Sequence, residues 1–375
     1  MSSSLQLGLM VGPAIPVPVP QEVIEALTSV EITARDVGFS AFSLQFTMSN
    51  SSVLPTLFLL AGGSPFPIVR VVLSANLNGS VTVLSDGVVT QVQVLPGGDA
   101  AHSILQVTGE DLGRLMDKID LTGLPFPAMP AEAAVAVVLA KYLALGVIPA
   151  IIPSILLDVP VPTAKIPAQQ GTDLKYVTAL AQRVGYVFYL APGPLPGMSQ
   201  AYWGPKIKTG VPQPALNLDM DAYTNAAQLT FSYHPQAAEL PVIFIQNETT
   251  HVPIPIPIPP VTPLNPPLGL LNPPPSTFTR LPETAKYTPA QAVMVGIAHA
   301  ANSADTVSAD GTLDVLRYGQ MLQPRSLVGV RGAGLAFDGL YYVSMVKHSI
   351  KRGEFKQKFT LSRNGLVSTV GQVAA

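Results

Sequence analysis

Three carboxylate pairs lie close enough in the chain for acid–base work: Glu110 with Asp111, Asp117 with Asp120, and Asp219 with Asp221. A general acid and its partner base need two carboxyls in a cleft whose surroundings drive their pKa values apart. Asp117 and Asp120, spaced i and i+3, would share a helix face, but no aromatic cleft flanks them, and a solvated helix end accounts for the pair. The five histidines, His102, His234, His251, His299 and His348, are scattered without the spacing of a metal site. Cysteine is absent, which removes thiolate ligands, a Cys nucleophile and any disulfide. GVRGAG, Gly329 to Gly334, has the glycine spacing of a phosphate loop. Strand lies on both sides of it, so no helix N-terminus waits for an anion, and tight-turn glycines are the better reading. Trp203, in AYWGP, is either a loop anchor on a core or a platform for a sugar ring. These residues point to no catalytic site, no metal and no cofactor.

The remaining candidate is basic. Six of the 21 Lys and Arg sit between Lys347 and Arg363, in a chain of which only 12% is charged. Lys356, Lys358, Thr360 and Ser362 alternate with Phe355, Gln357, Phe359 and Leu361, so a strand would carry the polar set on one face and the apolar set on the other. A single-strand nucleic-acid binder would pair such a face with stacking aromatics. Here the aromatics turn the opposite way, into the core. With a net charge of −2 and a pI near 6.2, the basic run reads as a solvated, subunit-facing or channel-lining surface, with no specific nucleic-acid binding.

The elements that must position these residues are mostly strands. At 375 residues the chain has room for two or three domains. Its mean hydropathy is high, +0.38. The most apolar segment, Ala133 to Leu157, is interrupted by Lys141, Pro149 and Pro153, which argues against a membrane span. The N-terminal stretch lacks the positive region of a secretory signal. Apolar surface without a span implies coverage by other subunits. Residues 1–20, with Pro13, Pro16, Pro18 and Pro20, form an extended arm. Period-2 alternation at Val30, Ile32 and Ala34, at Leu44, Phe46 and Met48, and at Val69 to Leu77 predicts strands over 21–115. Asn78-Gly79 and Asp86-Gly87 are expected to supply turns between them. Thr108 is expected to cap a helix that runs to Ile119. Pro130 opens a second helix, and TDLKYVTALAQR a third, capped by Thr172 or Asp173, so 116–215 is a helix-bearing linker region. A second β region, 216–250 with 311–370, is split by a Pro-rich insert and short helix, 251–310. Val252 to Pro275 holds 11 prolines and no charge, which predicts a docked polyproline II segment.

TDLKYVTALAQRVGYVFYL resembles the helix–strand signature of the phage late-control protein D family, the tail and baseplate hub proteins. LDVLRYGQMLQPRSLVGVRGAG and FDGLYYVSMVKHSIKRGEFKQKFTLSRNGL are similar to that family's closing β region, and AYWGP and VTGEDLGRLMD fit as well. The resemblance spans about residues 22–250 and 285–366. It implies a mainly β protein with α+β inserts: two tube-like antiparallel β-barrel domains joined by helix-bearing domains. Three copies would form a homotrimeric ring of pseudo-six-fold symmetry that adapts a hexameric inner tail tube to a trimeric spike. The implied setting is the baseplate of a virion or phage-tail-like particle, assembled in the bacterial cytoplasm, as in contractile injection systems and the N-terminal part of type VI secretion spikes. The implied partners are the inner tube protein, a spike expected as a separate polypeptide, and other baseplate proteins of the wedge or LysM type. Val69, Val71, Leu73, Phe355, Phe359 and Leu361 are candidates for the ring interface, and Lys356 and Lys358 for the lumen. The rival readings are a tail-associated cell-envelope hydrolase, which lacks a visible acid pair, and a carbohydrate-binding component centred on Trp203.

Overall fold

The computed structural model describes residues 5–48, 53–58, 68–96, 103–154, 166–246, 253–258, 266–281, 289–303, 305–371 and 373. Strands β1 (Leu5–Gly12) and β2 (Val17–Pro18) lead into helix α1 (Gln21–Ala26) and the hairpin β3 (Leu27–Arg35) to β4 (Ala41–Met48). After α2 (Leu54–Phe58) come β5 (Arg70–Leu77), β6 (Ser80–Pro96) and β7 (Ser103–Asp111). The middle holds α3 (Gly113–Met116), α4 (Ala131–Ala140), β8 (Val147–Ile151), α5 (Asp173–Arg183), β9 (Val187–Pro192) and β10 (Ser199–Gly204). Then come β11 (Gln213–Asn217) and β12 (Ala226–Tyr233). An insert of β13 (Glu239–Gln246), β14 (Pro253–Pro257), β15 (Gly269–Leu271), β16 (Thr277–Arg280) and α6 (Pro289–Ser303) precedes β17 (Val307–Asp314). The last elements are α7 (Val315–Tyr318), β18 (Leu327–Arg331), β19 (Gly339–Lys351), β20 (Glu354–Arg363) and β21 (Leu366–Ser368).

The protein is mainly antiparallel β. Thirteen strands join one sheet in the order β12-β17-β20-β19-β3-β4-β7-β6-β5-β1-β2, with β18 on β19 and β11 on β18. Among the described residues the expected closed barrels are absent. The two β regions are fused because β3 pairs with β19, Ile32 opposite His348 and Val30 opposite Ile350. One apolar face follows, and Val30, Ile32, Leu44, Leu105, Val346 and Phe359 belong to a single buried core.

The two halves repeat one plan. In the first, the hairpin β3–β4 carries a bulge between Leu27 and Ser29. In the second, β12–β17 carries one between Ala226 and Gln228. The long strand β6 bulges between Val89 and Gln91 against β7, and β19 bulges between Val343 and Met345 against β20. The start of β6 pairs with β5 and the start of β19 with β18. A bulge bends and twists its strand, and both halves carry two bulges at matched places.

Several local expectations change. Asp86-Gly87 is not a turn but lies inside the 17-residue β6. A Cβ on Gly87 would meet the Glu110 carbonyl oxygen at 2.1 Å, so the glycine serves close approach of two backbones at the bend. Thr108 lies in β7, and the helix that follows is only Gly113–Met116, started where the Gly113 N–H donates to Asp111 at 2.9 Å. The prolines of β14 alternate with Ile254 and Ile256, and the strand pairs with β13. Alternate prolines leave N–H groups along one edge only, so the segment becomes an edge strand in the order β14-β13-β16. Residues 5–12, read as part of an arm, pair along their whole length with β5. Asn78-Gly79 does form a tight turn, with φ of 54° and 90°. The third helix starts at the expected cap, Thr172 accepting from the Lys175 N–H. No described helix is long and apolar enough to cross a membrane.

Candidate functional surface

The alternation predicted for β20 holds along its length. Phe355, Gln357, Phe359 and Leu361 are buried, while Lys356 and Lys358 are exposed. Register extends this polar face across both halves. Lys356 lies beside Asp314 and Ser349, Ser349 beside Glu31, Glu31 beside Ser43, and Ser43 beside Thr108. Thr108 in turn lies beside Gln91 on β6. One row therefore crosses seven strands, β17 to β6, without a large apolar side chain.

Charged groups on and beside this row have partners. Lys347 Nζ reaches Glu31 Oε2 at 2.9 Å, across the β19–β3 junction. Lys356 bonds Glu354, which raises the lysine pKa and lowers that of the carboxylate. Thr360 Oγ1 donates to Asp310 at 2.7 Å. Such exposed pairs are screened by solvent and contribute little to stability.

Val69, Val71, Leu73, Phe355, Phe359 and Leu361 lie elsewhere than an open interface. All six are in the buried core of this one chain. Strand β5 has β6 and β1 as neighbours, and β20 has β17 and β19, so neither strand offers a free edge. The same alternation that sends Lys356 outward sends these side chains inward, and contact with a second copy through them would require opening the core.

Beside the large sheet stands a smaller unit. Strands β8, β10 and β9 form a three-stranded sheet, packed with α4 and α5 around Trp203, Val177, Val138 and Leu139. Trp203 is fully buried, its Nε1–H donates to the Val177 carbonyl at 3.3 Å, and Tyr186 meets it edge-on at 5.0 Å. The indole is a core anchor. Two of the three carboxylate pairs have structural roles. Asp117 accepts from Thr172 Oγ1 at 2.6 Å, and Asp120 accepts from the Thr122 N–H and hydroxyl, which lowers its pKa. Asp111 is raised to about 6, by burial, against the opposing N–H donors of Ser40 and Gly113. Among the described residues no group of three His, Asp or Glu could hold a metal ion.

No protein-family model matches the sequence, and no curated protein matches it either. The architecture does have solved counterparts. A tail protein of Neisseria meningitidis MC58 superposes with a TM-score of 0.62 at 13% identity, covering 97% of this chain and 98% of that one. The 43 kDa tail protein of prophage MuSo2 from Shewanella oneidensis gives 0.59 at 13% identity, over 96% and 98%. An E. coli component of the type VI secretion system, itself similar to the T4 bacteriophage tail proteins gp27 and gp5, gives 0.52 at 13% identity, over 93% and 75%.

The fold is that of phage tail proteins.

Within this tail-protein fold, the groups that brace the two units are charged residues far apart in the sequence. Arg70 and Asp86, both buried, form a two-pronged pair at 2.6 and 2.7 Å. Arg70 also donates to the Ala14 and Gly197 carbonyls, and Ser199 Oγ donates to Asp86 at 2.9 Å, which ties the N-terminal segment and β10 to the large sheet. On the other side Lys208 pairs with Asp305 at 2.8 Å and Lys206 with Asp36 at 2.8 Å. Both ammonium groups stand over the Tyr342 ring. Arg325 covers the Tyr189 ring at 4.0 Å and donates to the Asp36 carbonyl. Desolvation lowers the pKa of both Lys208 and Arg325. The one sequence signal for them was an isolated charge inside or beside an apolar run, as at Arg70 after Ile68 and Val69.

Proposed function

We propose that the chain is a structural baseplate hub of a contractile injection system or contractile phage tail, adapting a hexameric inner tube to a trimeric spike. The observation that carries this reading is the duplicated half. Two units of like plan and like bulges, fused through β3 and β19, would make three chains present six units to a six-fold tube while remaining three-fold to a spike. The tail-protein fold supports it. The polar face, with Lys356 and Lys358, would line the lumen. The insert from β13 to α6, which leaves the sheet between β12 and β17, would face a neighbouring baseplate protein. The work is mechanical, without catalysis: seed the tube, hold the spike and let the contents pass.

Light scattering over a concentration series tests this. Three chains of 39.4 kDa would weigh about 118 kDa. That mass, or its appearance on adding the tube or spike protein, is the expected result. A chain that stays monomeric alone and with both partners overturns the reading.

A further inference from the structure

The in-chain junction between the halves shows what the two ends of the sheet lack. Strand β3 pairs with the second length of β19, from Met345 to Lys351. By the matched bulges, β12 is the counterpart of β3, with Leu229 standing for Val30 and Phe231 for Ile32. The second length of β6 is the counterpart of that part of β19, with Gln93 standing for Lys347 and Val94 for His348. Among the described residues both counterparts are open. Strand β12 has β17 as its one neighbour, and β6 beyond Val89 has only β7.

Burial records the difference. At the closed junction Val30 is 1% exposed, Ile32 0% and His348 2%. At the open ends Val94 is 51% exposed, and Leu229 and Phe231 are half-buried. These are core-facing positions without their cover. A free, apolar-faced edge is a template for another strand. The two edges lie at opposite ends of one eight-strand run, and within this chain they do not pair with each other.

We infer that β12 of one copy pairs antiparallel with the second length of β6 of the next, in the register that the β3–β19 junction dictates. Lys347 opposite Thr33 and His348 opposite Ile32 become Gln93 opposite Ser232 and Val94 opposite Phe231. This rests on the ring reading and names the contact that builds the ring. It is a head-to-tail contact, which repeats identically until the ring closes. The new seam differs from the internal one in charge. Lys347 and Glu31, which bridge the internal junction, are replaced by Gln93 and Thr230, so the contact between copies carries no ion pair and resists salt.

The absence of cysteine makes the test direct. Residues facing each other across two strands are near enough for a disulfide. Gln93→Cys with Ser232→Cys is oxidised and run on a denaturing gel. Thr33→Cys with Lys347→Cys is the in-chain control, and Gln93→Cys with Phe231→Cys is the control displaced by one residue, which puts the two thiols on opposite faces. The expected result is a ladder that stops at three chains, with no free thiol in the top band and no ladder from the displaced pair. The in-chain control should oxidise without any change of mass. The pairing is overturned if that control oxidises while the test pair stays uncrosslinked. If such a chain still weighs three copies in solution, the pairing fails and the hub reading stands. A ladder that runs on past three keeps the pairing and sinks the three-copy hub.

Discussion

His348 and Gln357 face each other across β19 and β20, with His348 Nδ1 3.2 Å from Gln357 Nε2, both buried in an otherwise apolar core. Gln357 is itself held by the Leu322 backbone, accepting its N–H at 2.9 Å and donating to its carbonyl at 3.0 Å. With the amide so fixed, its N–H₂ group meets Nδ1 as an acceptor, which the neutral ring supplies and the imidazolium does not.

The pH response of stability follows from this contact. Burial pushes His348 from 6.5 down to about 4, so the unfolded chain binds the extra proton first as pH falls. Its contribution is complete above pH 6.5 and is lost between there and about 4, at about 1.4 kcal/mol per pH unit. Asp111 acts with the opposite sign. Raised from 3.8 to about 6, it stabilises at low pH and loses that contribution as pH rises through the same window. The two offset each other in the native protein. In Asp111→Asn the urea midpoint should therefore drop more steeply from pH 6.5 to 4.5 than in the wild type. Parallel profiles would show that Asp111 titrates in the ordinary carboxylate range and offsets nothing.

Lys356→Glu with Lys358→Glu reverses charge on the polar face and leaves the core untouched, since both side chains are exposed. The expected outcome is an unchanged far-UV spectrum and solution mass, with weaker retention of anionic polymers by the assembled particle. Loss of assembly would mean that these lysines are structural, against a lumenal role.

Trp203→Ala should cost about 3–5 kcal/mol in a denaturant titration, because it opens a cavity and removes the contact with Tyr186. Trp203→Phe should recover a good part of that. Neither change should alter retention on a glycan array, given an indole that is fully buried. Selective loss of glycan binding without loss of stability would revive a carbohydrate-binding role.

Where one chain segment carries its own pattern, the structure was legible in advance. β20 alternates because one face of its sheet is wet and the other dry. α5 has its cap and apolar stripe within twelve residues, Thr172 to Arg183. Asn78-Gly79 turns because both residues take positive φ. Asp86-Gly87 carries the same turn chemistry for other reasons: the carboxylate answers Arg70, and the glycine admits the backbone of β7. Local sequence does not separate those causes. The fusion of β3 with β19 was beyond reach, because it joins strands from the two ends of the chain and depends on a bulge that no residue type announces. The alternation that marks the six interface candidates as apolar also buries them, and alternation cannot distinguish a core within one chain from a core shared between two.

The long strands β6 and β19 have a mechanical consequence. Each begins beside one neighbour, β5 or β18, and ends in the eight-strand layer from β12 to β6. A pull on the outer flank therefore reaches that layer along an unbroken covalent backbone instead of across a ladder of hydrogen bonds. Tension runs lengthwise through peptide bonds, and shear is left to the short flanking strands. Under load the flanks should peel first, while the eight-strand layer keeps its shape.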